Sequence, residues 1–188
     1  MLLGKKAPEF ALKDKDGVVH TLRDIEAAHI CVFFYPKDNT PGCTLEAKEF
    51  TSHLKKFSQK GCALIGISGG DEKSKAKFCK SNALEVTLLS DPDYRVAKAY
   101  KTYGEKKFMG RTYNGIFRKT FVLGPDRKIV KVFEEVKPEG HAEEVLAFLE
   151  GGAPRAKSKS AVKKKPVSKV KPAPKKAIAR KKTARAKK

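Results

Sequence analysis

Four of the 188 residues are cysteines: Cys31, Cys43, Cys62 and Cys79. The thiolate is the nucleophile, and a free thiol, with a pKa of about 8.5, is mostly protonated at neutral pH, so position decides which cysteine reacts. Cys43 has such a position. It follows Thr40-Pro41-Gly42, the order of a helix N-cap and a first-turn proline. Cys43, Ala47, Phe50, Leu54 and Phe57 then recur along one helical face. The thiol therefore falls in the first turn of a helix, where unpaired N–H groups and the helix dipole favour negative charge. Cys31 and Cys62 sit inside apolar runs and read as core. Zinc chemistry is poorly served, because the cysteines stand far apart without a Cys-x-x-Cys pair. The same absence argues against a disulfide oxidoreductase. His20, His29, His53 and His141 show no ligand spacing and read as surface or structural.

The elements that must position Cys43 follow from the hydrophobic pattern. Ile30-Cys31-Val32-Phe33-Phe34-Tyr35 is a continuous apolar run that suits a central strand buried on both faces. Pro36 ends it, and Asp38-Asn39-Thr40-Pro41-Gly42 is rich in turn formers. Cys62–Ser68 reads as a second buried strand, Glu72–Asn82 as a polar helix, and Val86–Leu89 as a third strand. A short helix is expected at Tyr94–Tyr100, and the Gly- and Lys-rich stretch through Gly115 matches no element. Phe121–Leu123 and Ile129–Phe133 flank Gly124-Pro125-Asp126-Arg127 as a hairpin, and Glu139–Glu150 closes the domain as a helix. Strands alternating with helices, plus an antiparallel hairpin, predict an α/β domain over residues 1–150. Its mixed sheet is covered by helices on both faces.

The segment Pro36-Lys37-Asp38-Asn39-Thr40-Pro41-Gly42-Cys43 resembles the active-site signature of peroxiredoxins. That signature is a proline, a threonine or serine four residues on, and a cysteine three beyond. Phe34-Tyr35-Pro36, Cys43-Thr44-Leu45-Glu46-Ala47, Ser90-Asp91-Pro92, Gly104–Gly110 and Gly115–Phe121 extend the likeness to the bacterioferritin-comigratory, or PrxQ, subgroup. The resemblance implies a thioredoxin-like fold and a peroxidase that needs no metal or organic cofactor. Hydrogen peroxide and organic hydroperoxides would be its substrates. Cys43 would attack one peroxide oxygen, and Thr40 would hydrogen-bond the thiolate and align the O–O bond. Pro36 would cover the site and protect the sulfenic intermediate, while Arg118 would stabilise the thiolate and the leaving oxygen. Many members place the resolving cysteine five residues after the first, a position held here by Lys48. A second arrangement places it on the next helix, which matches Cys79. There Lys73, Lys75, Lys77 and Lys80 are expected to favour its thiolate. The implied reductant is thioredoxin or a similar dithiol protein.

Charge separates the rest of the chain from this domain. Sixteen of the 42 Lys and Arg residues lie between Gly151 and Lys188, where there is no acidic residue; residues 1–150 hold 26 against 21 Asp and Glu. The 151–188 segment is rich in Lys, Ala and Pro, lacks aromatics and has no periodic apolar face. It is expected to be disordered. It resembles the tails of linker-histone-like proteins, which implies non-specific binding to nucleic-acid phosphate. A chromatin-like protein using the domain as a bare scaffold is the alternative reading, but a scaffold has no need of a Pro-x-x-x-Thr-x-x-Cys array. No apolar run reaches the roughly 18 residues that span a bilayer, and the first residues lack a secretory h-region. The expectation is a cytoplasmic chain, nucleoid-associated, or nuclear if eukaryotic.

Overall fold

The computed structural model describes residues 2–108 and 110–151. The disorder expected of the basic tail concerns 152–188, outside the described residues. In chain order the strands are β1 (Ala11–Lys13), β2 (Val19–Thr21), β3 (His29–Phe34), β4 (Cys62–Ser68), β5 (Thr87–Ser90), β6 (Tyr103–Phe108), β7 (Arg111–Ile116), β8 (Lys119–Leu123) and β9 (Ile129–Phe133). The helices are α1 (Pro41–Gln59), α2 (Glu72–Asn82), α3 (Arg95–Ala99) and α4 (His141–Gly151).

Seven strands form one sheet in the order β2-β1-β5-β4-β3-β8-β9. β3 pairs parallel with β4, and β4 with β5, through the crossovers α1 and α2. On its other side β3 pairs antiparallel with β8, which turns back into β9. Every residue of β3 is buried, which explains its unbroken apolar run. Cys31, Phe33 and Tyr35 face one layer, with α1, α2 and α4; Ile30, Val32 and Phe34 face the other, with α3. The Phe33 ring stacks on Phe50 of α1 at 4.5 Å. Gly66 makes room for that ring, since a Cβ there would sit 2.5 Å from Phe33 Cζ and 2.6 Å from Leu88 Cδ2.

The unassigned Gly- and Lys-rich stretch forms a separate two-stranded sheet, β6 paired with β7. Arg111–Asn114 on β7 are all exposed, so no burial alternation marked the strand. At the sheet edge, β1 and β2 are three residues each, too short for a periodicity argument.

Candidate active site

Pro41 begins α1, placing Cys43 in its first turn, only 2% exposed. Thr40 is the N-cap residue by backbone conformation, with φ −94° and ψ 148°, and its carbonyl accepts from Thr44 N at 2.8 Å. Its hydroxyl does not cap the helix; it donates to the Lys37 carbonyl at 3.1 Å. The proton expected to serve the thiol is therefore committed to the loop in this state. Pro36 ends β3 as expected. It lines a cavity of about 350 Å³ with Gly69, Gly70 and Tyr94 on the side of the loop next to α2.

Arg118 stands immediately before β8. Because β8 pairs with β3, it comes back to the strand end from which the Cys43 loop departs. Its Nη2 donates to Cys43 Sγ at 3.2 Å, and its Nη1 donates to Glu46 Oε2. The planar fork is thus shared between a sulfur and a carboxylate, geometry that a lysine could not supply. A Cβ on Gly42 would lie 3.1 Å from Pro138 Cγ, a tight contact, and 3.5 Å from Arg118 Nη2, an ordinary one.

Two residues join the site that motif reasoning did not assign. Glu46 is 1% exposed, and burial pushes its carboxyl up to about 7 against the opposing pull of Arg118. Its Oε1 has no hydrogen-bond partner among the described residues. The available signal was an acidic residue three positions after Cys43, on the helical face that also carries Ala47 and Phe50. Lys106, from β6, donates to the Ile116 carbonyl at 2.9 Å and lies 5.3 Å from the Phe117 ring centre. Burial, and next the charge of Arg118, lower its pKa, and the Cys43 sulfur acts in the opposite sense. Lys106 on the hairpin thus feels the charge of Arg118 and, less strongly, the Cys43 sulfur, which the unassigned stretch had hidden.

Cys79 lies on α2 and is 6% exposed. The expectation that its lysine-rich helix favours the thiolate is corrected by burial, which raises its pKa, with Lys15 of the β1–β2 turn the leading opposing charge. Lys75, the nearest helical lysine on its face, is bound elsewhere, to Asp38. Burial likewise lifts Cys31 well above its ordinary value and Cys62 to about 12, as suits core residues. All four cysteines are free thiols.

A thiol in the first turn of a helix, held by a guanidinium that cannot lose its proton, is arranged to act as a nucleophile and to meet negative charge that develops on a leaving group. Comparison with known proteins agrees with that chemistry. The AhpC/TSA family model matches residues 3–132. The peroxiredoxin Bcp of Escherichia coli is 38% identical over 146 residues, covering 78% of this chain and 94% of that protein. A Xanthomonas campestris peroxiredoxin Q superposes with a TM-score of 0.72 at 36% identity, over 77% of this chain and 92% of that one. A second structure, of the bacterioferritin comigratory protein from the same organism, described for its alkyl peroxide reduction activity, gives 0.70 at 35% identity over 75% of this chain and 90% of that one. The mixed sheet with flanking helices is thus the thioredoxin-like fold of those structures, and the chain belongs to the AhpC/TSA family as a peroxiredoxin of the Bcp/PrxQ type, a peroxidase.

Proposed function

We propose that Cys43 is the peroxidatic nucleophile, reducing hydrogen peroxide and organic hydroperoxides, and that Cys79 resolves the product for recycling by thioredoxin or a similar dithiol protein. The observation that carries this reading is the hydrogen bond from Arg118 Nη2 to Cys43 Sγ at the α1 N-terminus. In the first step the thiolate attacks one oxygen of ROOH, the O–O bond breaks, and a proton completes ROH, leaving Cys43 as the sulfenic acid. Arg118 holds the thiolate and meets the charge that develops on the departing oxygen. Thr40, released from Lys37 when peroxide enters, aligns the O–O bond, and Pro36 shields the sulfenic acid. In the second step the Cys79 sulfur displaces hydroxide from that acid, forming the Cys43–Cys79 disulfide and, with the thiol proton, water. The dithiol reductant then returns both thiols. The alkyl peroxide activity of the Xanthomonas relative supports organic hydroperoxides as substrates.

Residues 151–188 serve separately, as a polycation for nucleic-acid phosphate; sixteen cations without an acid support this. Without aromatics the segment has no means to stack on bases, so binding is sequence-independent. A nucleic-acid-rich part of a cytoplasm or nucleus is where such a tail concentrates the peroxidase.

Cysteine mapping tests the resolving step. Peptide analysis of the peroxide-oxidised chain should return a Cys43–Cys79 bond. Cys79→Ser should consume one equivalent of peroxide and then stall or over-oxidise at Cys43. A bond from Cys43 to Cys31 or Cys62, or only a bond between chains, contradicts the assignment.

A further inference from the structure

The loop that leads to Cys43 and the helix that carries Cys79 share one buried ion pair. Lys75 Nζ donates to Asp38 Oδ2 at 2.9 Å and to Oδ1 at 3.1 Å, with side-chain exposures of 0% for Lys75 and 4% for Asp38. Lys75 also donates to Ser68 Oγ at 2.6 Å. Around the carboxylate, Tyr35 donates to Oδ1 at 2.8 Å, Ser74 to Oδ2 at 2.6 Å and Ser68 to Oδ1 at 3.3 Å. Burial alone would push Asp38 up, but the ammonium and the hydroxyl donors hold it below the ordinary carboxylate value. Gly70 is confined by the same group: a Cβ there would meet the Asp38 carboxylate and lie 3.0 Å from both Lys75 Nζ and Ser74 Oγ. None of these contacts is required by the peroxide chemistry at Cys43.

A buried ion pair is a poor way to gain stability, since apolar residues of similar volume often do as well, and its best-attested use is to fix one arrangement over another. The arrangement fixed here spans the two redox elements. Asp38 is in the β3–α1 loop, ahead of Cys43; Lys75 is one helical turn before Cys79 on the same face of α2. Both thiols are free and buried, Cys43 under the Arg118 guanidinium and Cys79 one helical turn beyond Lys75 on α2. A disulfide needs their Cα atoms within about 7 Å with facing Cβ vectors. Moving Cys79 carries Lys75 away from Asp38, and moving the Cys43 loop carries Asp38 away from Lys75.

We propose that the Asp38–Lys75 ion pair is a clasp that holds the Cys43 loop against the Cys79 helix in the dithiol state and must open for the disulfide to form. It rests on Cys79 as the resolving residue and extends that reading to what controls the step. An interaction present in the dithiol and absent from the disulfide slows Cys43–S–OH + HS–Cys79 → Cys43–S–S–Cys79 + H₂O. It lengthens the life of the sulfenic acid, and it makes the disulfide easier to reduce. Asp38 and Lys75 act as positioning residues and touch no reacting atom.

The test compares wild type with Lys75→Met and with the double variant Asp38→Asn/Lys75→Met, which leaves no stranded charge and keeps the test valid where the single variant does not fold. Quenched-flow mass spectrometry after mixing with hydrogen peroxide gives the rates of sulfenic acid and of disulfide formation, and glutathione titration gives the equilibrium. In the double variant the ratio of the second rate to the first should rise about tenfold, sulfinic acid per turnover should fall, and the potential should become more negative by about 30 mV for each tenfold change in the equilibrium. A purely structural role lowers the melting temperature without shifting that ratio or the potential. A folded double variant with the wild-type ratio and potential overturns the clasp while a mapped Cys43–Cys79 bond in the wild type keeps the resolving assignment. Absence of that bond in the wild type overturns both.

Discussion

Arg118 offers one guanidinium to two groups, the Cys43 sulfur and the Glu46 carboxylate, and the second of these should make folding depend on pH. Burial raises the Glu46 carboxyl from 4.5 to about 7, so between those values the folded chain keeps a proton that the unfolded chain releases. The sign follows: Glu46 contributes stability below pH 4.5, and the contribution is lost as pH rises through about 7. Glu46→Gln stays neutral throughout, so its stability relative to wild type should climb across that window by on the order of 3 kcal/mol and level off above it. Melting curves of both proteins against pH check this, and a constant difference contradicts it. At this scale the sequence was readable where a motif carried the residue: Cys43 and Arg118 meet as expected. Glu46 and Lys106 were not, because an acidic residue within a helix and a lysine among other lysines look like solvated surface until the packing is known. The partner of the Thr40 hydroxyl, the Lys37 carbonyl, was not legible either, since a threonine at an N-cap can bond either the helix or its own loop.

At the scale of elements, the first turn of α1 is the device that matters, because it brings the Cys43 sulfur, the helix dipole and Arg118 together. Arg118→Ala removes the donor that stands 3.2 Å from Cys43 Sγ and leaves the helix N-terminus in place. Alkylation of Cys43 by iodoacetamide at neutral pH should slow about tenfold, roughly 1.4 kcal/mol of lost charge stabilisation, with secondary structure retained. An unchanged alkylation rate in a folded variant speaks against Arg118 as the group that activates the thiol. β4, α2 and β9 fall where the sequence pattern puts them, β4 as an unbroken apolar run, α2 as a polar helix and β9 as the second arm of a hairpin bounded by turn formers. The β6–β7 hairpin and the β1–β2 pair did not announce themselves, being exposed or very short. The expectation for Cys79 erred because counting lysines along α2 ignores which of them point inward, and Lys75 does so to meet Asp38.

Over the whole molecule, the near-balanced charge of residues 1–150 and the unopposed cations of 151–188 predict separable activities. A chain ending at Glu150 should keep its peroxide reactivity and lose retention on DNA. Full-length binding should ignore base sequence and weaken by about 10³-fold or more between roughly 50 and 200 mM salt. Equal retention by the truncated chain removes the tail from the account. The fold was the most legible level of all, because the alternation of buried strands and amphipathic helices leaves few ways to cover a mixed sheet. What remains central is the identity of the nucleophile, and a single-turnover measurement addresses it without assuming any reductant. Pre-reduced wild type and Cys43→Ser are each mixed with one equivalent of hydrogen peroxide, and the peroxide remaining is followed over time. Wild type should consume the equivalent and carry the oxidation at Cys43, while Cys43→Ser, folded and with its other three thiols intact, should leave the peroxide essentially untouched; consumption by Cys43→Ser at the wild-type rate would contradict the account.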